Sequence, residues 1–174
     1  AGTSVASLVA GDDHVEVRLG DGRVLEAAHV VLATGGEALL PALPGIDLDA
    51  VQVLRTVDDA RRVREVLHRG GRLLVVGAGL VGAELTSSAL DLGCEVALVD
   101  PVETPLAPVL GERLAVWLHA HHAVHGAEVH VAGLASFEPS GAGVRGVLTS
   151  GATVDADLAV AAVGMRPADG LARA

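Results

Sequence analysis

The chain has no lysine and no tyrosine, and its 174 residues include one cysteine, one tryptophan, one phenylalanine and one methionine. Each scarcity excludes something. With Cys94 alone, an internal disulfide and any cysteine-rich zinc site are ruled out. No second thiol exists to resolve an oxidised first one, so Cys94, placed just before an apolar run, reads as a small buried side chain. A reducing, cytoplasmic setting fits this usage. Arginine supplies every one of the 12 basic residues, against 22 acidic ones, for a formal charge of −10. A surface so acidic repels phosphate backbones and anionic lipid, which argues against nucleic acid and membrane as partners. The cluster Arg61-Arg62-Val63-Arg64 reads as the solvated face of a helix. No uninterrupted apolar run reaches the roughly eighteen residues of a membrane span, and Ala1-Gly2-Thr3-Ser4 lacks the charged-then-apolar plan of a signal peptide. The expectation is a soluble protein.

What is abundant is small. Apolar residues make up 51% of the chain, mostly Ala, Val and Leu, alongside 22 glycines. Such a composition favours layers that pack closely through short side chains, in one domain or one domain plus part of another.

Taken in order, Ser7-Leu8-Val9, His14 to Leu19 and Arg23 to Glu26 alternate with period two and are separated by Gly11-Asp12-Asp13 and Gly20-Asp21-Gly22. The pattern predicts a three-stranded antiparallel meander. His29 to Ala33 is continuously apolar after its histidine and stops at Thr34-Gly35-Gly36, as a buried strand would. Residues 37 to 56 carry Pro41, Pro44 and Gly45 without sustained period and read as a domain crossing. Thr56 then caps a helix with Asp58 and Asp59 in its first turn, and Gly70-Gly71 ends it. Glu112 to His125 is helical, with Leu114, Trp117, Leu118, His121 and Val124 on one stripe, and Glu128 to Val131 opens a strand. Ala135 to Glu138, Val144 to Leu148 and Thr153-Val154 then repeat the short-strand layout, and Leu158 to Val163 is a second buried run, stopped by Gly164. Meander plus buried strand thus occurs twice, which implies two related domains, the first represented by its tail.

Between the copies lies Arg72 to Asp100, an apolar run, Gly77-Ala78-Gly79-Leu80-Val81-Gly82, a helical segment, and a second apolar run ending on Asp100. This is a βαβ unit with the G-x-G-x-x-G spacing of a dinucleotide site. Gly77 permits the tight turn, Gly79 removes the β-carbon that would block a pyrophosphate, and Gly82 allows helix and strand to pack closely. The N–H groups of Gly79, Leu80 and Val81 then face the phosphates at the positive end of the helix dipole. Asp100, 18 residues beyond Gly82, stands where a carboxylate accepts hydrogen bonds from the adenosine ribose and repels a 2′-phosphate, and Pro101-Val102-Glu103 offers no arginine to attract one. NAD is favoured over NADP; the lesser alternative for Asp100 is a cap on its own Asp-Pro turn. Glu84, in the first turn of the helix, is explained as well by a favourable dipole interaction as by a place near the ring end of the dinucleotide. His119, His121, His122 and His125 crowd one helix, but no local acid or cysteine completes a ligand set, and no metal site is assigned.

Three motifs in order, Val31-Leu32-Ala33-Thr34-Gly35 with Pro41 and Pro44-Gly45, then Val76 to Glu84, then Val160 to Pro167, resemble the FAD-dependent pyridine nucleotide-disulfide oxidoreductase superfamily over nearly the whole chain. Thr104 to Gly111 and Leu118-His119 resemble its ferredoxin and rubredoxin reductase branch, which lacks a redox-active cysteine pair; Pro108 departs from the basic residue expected there. The resemblance implies an α/β fold with a Rossmann-like parallel sheet, helices on its faces and an antiparallel meander. Residues 46–174 would form the NAD(H)-binding domain, and residues 1–45 a meander and buried strand left from a truncated FAD domain. It implies that NADH passes hydride to FAD and that electrons then reach a small iron–sulfur acceptor. Gly77, Gly79, Leu80, Val81, Gly82 and Asp100 would hold NAD(H), Glu84 as the catalytic candidate and Gly164 would lie by the nicotinamide, and Thr34-Gly35 would border FAD. The family's FAD fingerprint would precede Ala1, and its second FAD segment and interface domain would follow Ala174, so the chain by itself is expected neither to retain FAD nor to turn over. Commonly acidic ferredoxins would be repelled by a charge of −10, which places docking on further segments or on a local arginine patch. Two other readings are a dinucleotide-binding redox sensor or interaction module of the same superfamily, and a Rossmann domain for another adenosine ligand such as S-adenosylmethionine.

Overall fold

A computed structural model describes residues 2–173. In chain order the elements are β1 (Val5–Ala10), β2 (Val15–Leu19), β3 (Val24–Ala27), β4 (Gly36–Ala38), β5 (Val51–Val53), α1 (Val57–His68), β6 (Arg72–Val76), α2 (Leu80–Asp91), β7 (Glu95–Asp100), α3 (Ala107–Leu110), α4 (Glu112–Val124), β8 (Glu128–Val131), β9 (Leu134–Ser140), β10 (Gly143–Leu148), β11 (Thr153–Ala156), β12 (Leu158–Ala161), β13 (Met165–Pro167) and α5 (Gly170–Arg173). The contacts divide them into two units. One holds the segment through Glu37 and the segment from Met165 onward, and the other is Ala38–Gly164.

The larger unit is built on a parallel sheet of order β5-β12-β6-β7-β8. Its middle strands read as continuous apolar runs because both faces are covered, and the pleat sends alternate residues to different layers. Leu73 and Val75 of β6 join Val63 and Leu67 of α1, Leu85 and Ala89 of α2, and Cys94 on the helical face. Leu74 and Val76 face the antiparallel sheet β11-β10-β9 with Phe137, Val144, Leu148 and Val154. That second layer approaches closely at Gly146, where a β-carbon would stand 2.6 Å from Leu74 Cδ2 and the buried leucine would have to shift. Leu, Val and Ala side chains therefore fill a closely packed three-layer core with a single phenylalanine, Phe137.

Local signals hold where they are chemically explicit. Thr56 caps α1 in a complete capping box, its hydroxyl accepting from the Asp59 N–H at 3.2 Å while the Asp59 carboxylate accepts from the Thr56 N–H at 2.7 Å. Cys94 is buried, its Sγ 3.2 Å from the Leu67 carbonyl, and burial pushes its thiol pKa up. Among the described residues no helix is long and apolar enough to cross a membrane.

Three expectations need correction. His29 to Ala33 forms no strand; Val31 is 88% exposed, and among the described residues no strand pairs with it. A run of this composition becomes a buried strand only when neighbours supply both hydrogen bonds and covering layers. The stripe on α4 is turned outward: Leu114 is 45%, Trp117 57% and Val124 81% exposed. The buried side is Ala115 with His122, flanked by the part-buried Leu118, because small Ala115 lets α4 approach Ala83 of α2 and Leu106. The stretch read as a pure crossing contains β5, an edge strand whose Val51 pairs with Ala159 of β12.

The smaller unit is described by itself. It contains the expected meander, β1-β2-β3, with Val9 opposite Glu16 and Val17 opposite Leu25. A strand pair of β4 and β13 and the short α5 complete it.

Candidate functional site

The sheet of the larger unit ends in a cleft of about 640 Å³ at the carboxyl ends of β6, β7 and β12. Crevices of this kind form where loops leave parallel strands. Val76, Gly77 and Gly79 line it from the first loop, Asp100, Pro101 and Val102 from the second, and Ala162, Val163 and Gly164 from the third. Thr104, Pro105 and Pro108 close the side beyond β7.

The three fingerprint glycines have three distinct environments. Gly77 adopts φ +101°, and a β-carbon there would stand 2.6 Å from the Ala162 carbonyl oxygen. A β-carbon at Gly82 would fall on the Gly77 carbonyl oxygen, so the helix can start this close to the strand only without one. At Gly79 an added β-carbon meets nothing within 4 Å. The fold therefore has no packing use for the missing side chain of Gly79, and the vacancy opens on the cleft. Gly79 is also the N-cap of α2 and provides no side-chain hydrogen bond, which leaves the first-turn N–H groups, including those of Leu80 and Val81, for another acceptor.

Asp100 is held by backbone. Its Oδ2 accepts from the Ala78 N–H and its Oδ1 from the Val102 N–H, both at 2.8 Å. The carboxylate thus caps its own turn and ties the tip of the fingerprint loop to the end of β7. Each oxygen keeps a second lone pair, so capping leaves acceptor capacity facing the cleft that Asp100 lines. His119 on α4, noted in sequence as one of a histidine cluster, is close enough to Asp100 to sense its charge, which residue spacing did not reveal. Its Nε2 has no hydrogen-bond partner, and burial pushes its pKa down, partly opposed by the Asp100 charge.

Gly77, Gly79, Asp100 and Gly164 therefore meet in one cleft. Gly164 has φ +120°, and its carbonyl accepts from the Leu39 N–H at 3.0 Å. Gly82 lies buried under the loop. Glu84 is not among the cleft residues: it is exposed and stands beside Leu80 on a neighbouring hollow. Thr34 and Gly35 belong to the smaller unit, where the Thr34 hydroxyl donates to the Ala168 carbonyl and the Gly35 carbonyl accepts from the Ala168 N–H at 3.0 Å.

Over residues 1–174 the chain matches the family model described as pyridine nucleotide-disulphide oxidoreductase. The chain belongs to that family. Within the family it is 35% identical over 158 residues to the benzene 1,2-dioxygenase system ferredoxin–NAD(+) reductase subunit of Pseudomonas putida, covering 90% of this chain and 38% of that protein. It is 37% identical over 160 residues to the anthranilate 1,2-dioxygenase system ferredoxin–NAD(+) reductase component of Burkholderia cepacia, covering 91% and 39%. Among solved structures of the family, a covalent putidaredoxin reductase–putidaredoxin complex superposes with a TM-score of 0.83 at 28% identity, over 99% of this chain and 42% of that one. The chain spans about two-fifths of the length of these relatives.

Proposed function

We propose that this chain is the NADH-binding portion of a flavin-dependent reductase that takes hydride from NADH and delivers electrons to a small ferredoxin-type iron–sulfur protein. The observation that carries the proposal is the cleft in which an open Gly79, an uncapped helix start and the Asp100 carboxylate converge. An extended dinucleotide fits that set. Its pyrophosphate accepts hydrogen bonds from the N–H groups at the start of α2, and its adenosine ribose donates to Asp100. No basic side chain is among the cleft residues, so the dipole and backbone of α2 carry the phosphate charge and nothing compensates a 2′-phosphate.

FAD would supply the conversion between two-electron hydride donation and one-electron iron–sulfur acceptors. The residues here orient and sequester. Gly164 leaves room for the nicotinamide at the end of β12, and Thr34-Gly35 would border the flavin; Glu84 lies outside the cleft and is given no part in holding the ring. The similarity to named ferredoxin–NAD(+) reductases supports the iron–sulfur acceptor over a sensor that passes few electrons. The test is NADH-dependent reduction of cytochrome c by the full-length polypeptide loaded with FAD, with and without a small [2Fe–2S] ferredoxin. Ferredoxin-dependent reduction is the expected result. Stoichiometric NADH binding with no ferredoxin-stimulated reduction would leave the sensor reading in its place.

A further inference from the structure

From the dinucleotide loop, α2 runs away for 12 residues, roughly 16 Å, and ends on Asp91. There it meets the end of α4 at a notch of about 260 Å³, bounded by Ser87, Leu90 and Asp91 on one side and by His121, His122 and His125 on the other. The electrostatics of the notch favour a cation. It adjoins the carbonyl ends of two helices, each carrying a partial negative charge. Asp91 is exposed and is the last residue of α2, where the dipole disfavours a carboxylate. No lysine or arginine is among the residues that bound the notch.

The imidazoles decide which cation. His121 and His125 lie one turn apart on the α4 side, both exposed, with ring centroids 4.0 Å from each other. An ion bound tetrahedrally by two nitrogens at about 2.0–2.1 Å holds them about 3.3 Å apart, which rings so placed can reach. The His125 tautomer is also fixed. Its Nδ1 stands 2.9 Å from the His121 carbonyl oxygen, which can only accept, so Nδ1 carries the hydrogen and Nε2 of the neutral ring keeps its lone pair. Backbone support on the non-ligating nitrogen is the usual arrangement behind a metal-bound imidazole. Such nitrogen ligands suit copper, nickel and zinc, whereas magnesium and calcium prefer oxygen. His122 takes no part, because its Nε2 is buried. Among the described residues no three histidine, cysteine or acidic side chains form a finished ligand set. Two imidazoles are therefore the direct ligands, and the carboxylate acts through water.

We propose that His121 and His125 bind one divalent transition-metal ion, with water completing its coordination and Asp91 holding one of those waters. Spacing along the chain shows the histidine pair; the fold adds a carboxylate that the neighbouring sequence does not supply.

Trp117 reports occupancy, since it is the only tryptophan and stacks on the His121 ring at 4.9 Å between centroids. The probe is Ni²⁺ at about pH 7.5, where imidazole is mainly neutral. Its addition should quench Trp117 emission saturably with a Kd below about 100 μM, reversibly on adding EDTA, while about 10 mM Mg²⁺ has no effect. His125→Ala should weaken Ni²⁺ binding at least tenfold and Asp91→Asn several-fold. His14→Ala, in the smaller unit, should leave it unchanged. Diamagnetic Zn²⁺ provides a test on the unaltered protein, so no variant has to fold for it. In ¹⁵N NMR it should shift the ring nitrogens of His121 and His125 before those of the other histidines, with His125 Nδ1 keeping its proton. Quenching that does not saturate, undiminished affinity in His125→Ala or Asp91→Asn, an equal loss in His14→Ala, or Zn²⁺ shifts spread evenly over the histidines would overturn the proposal.

Discussion

Two glycines three residues apart should answer the same substitution in opposite ways. At Gly79 the backbone is extended, with φ −69° and ψ −168°, which alanine adopts without strain, and a β-carbon meets nothing within 4 Å. The entropy gained by restricting the unfolded chain, about 0.4–1 kcal/mol, offsets the loss of a glycine from an N-cap, which is of similar size. Gly79→Ala should therefore leave stability within about 1 kcal/mol, or roughly 2–4 °C in Tm for a chain of this length. At Gly82 the β-carbon would overlap the Gly77 carbonyl oxygen and stand 3.4 Å from Val75 Cγ1, so the helix must move off the strand. Overpacking of this kind costs about 1–3 kcal/mol, which predicts a fall in Tm of roughly 2–12 °C. Nucleotide affinity should show the reverse emphasis. The Gly79 methyl group projects into the cleft where a pyrophosphate would approach, and NADH binding should weaken at least tenfold, about 1.4 kcal/mol, while the protein remains folded. Differential scanning calorimetry and NADH titration on both variants make the comparison. If Gly79→Ala melts as low as Gly82→Ala, or binds NADH like the parent, the assignment of separate packing and ligand roles is wrong.

Asp100→Asn keeps one acceptor oxygen but replaces the other with an NH2 group, which cannot accept, so one of the bonds from the Ala78 and Val102 N–H groups is lost. Thermal stability should fall by about 1–3 kcal/mol, and fluorescence titration should show NADH losing its advantage over NADPH. Acidification should act through the helix layer. His119 and His122 have folded pKa values below the unfolded one, so the unfolded chain binds more protons as pH falls through about 6.5. Their contribution is complete above that value and is lost below it, and Tm measured from pH 7 to 5 should fall less steeply in a folded His122→Phe variant. Thr56→Ala removes the α1 capping box and should cost about 1 kcal/mol, seen as a small shift in urea midpoint.

The parts of the fold that could be read from sequence are those whose causes are local. The strand, glycine turn and helix from Arg72 to Asp91 follow from the steric demands of Gly77 and Gly82, and Thr56 with Asp59 specifies a helix start within four residues. The three buried parallel strands β6, β7 and β12 and the repeated meanders announce themselves by composition and turn residues. What was not legible depends on partners distant in the chain. Val51 is a strand residue because Ala159 pairs with it, and nothing near Val51 encodes that. Val31 looks like a strand residue but has no pairing strand among the described residues. On α4, a 3.6-residue period supports two overlapping faces. The larger side chains of Leu114 and Trp117 point to one, whereas the small Ala115 decides for the other by allowing closer contact. At the site, Asp100 was recognisable as a ribose acceptor and as a turn cap, and the structure shows the second role with capacity left for the first. The neutral buried histidines behind it carried no signal beyond their number.

The account rests on the cleft at the end of β6, β7 and β12 being a site for NADH. Isothermal titration calorimetry of the chain with NADH and with NADPH tests this without requiring flavin or an electron acceptor. The prediction is saturable one-to-one binding of NADH, with NADPH at least tenfold weaker because its 2′-phosphate meets Asp100 and no cation. No measurable NADH binding to the folded chain, or equal binding of the two nucleotides, would contradict it.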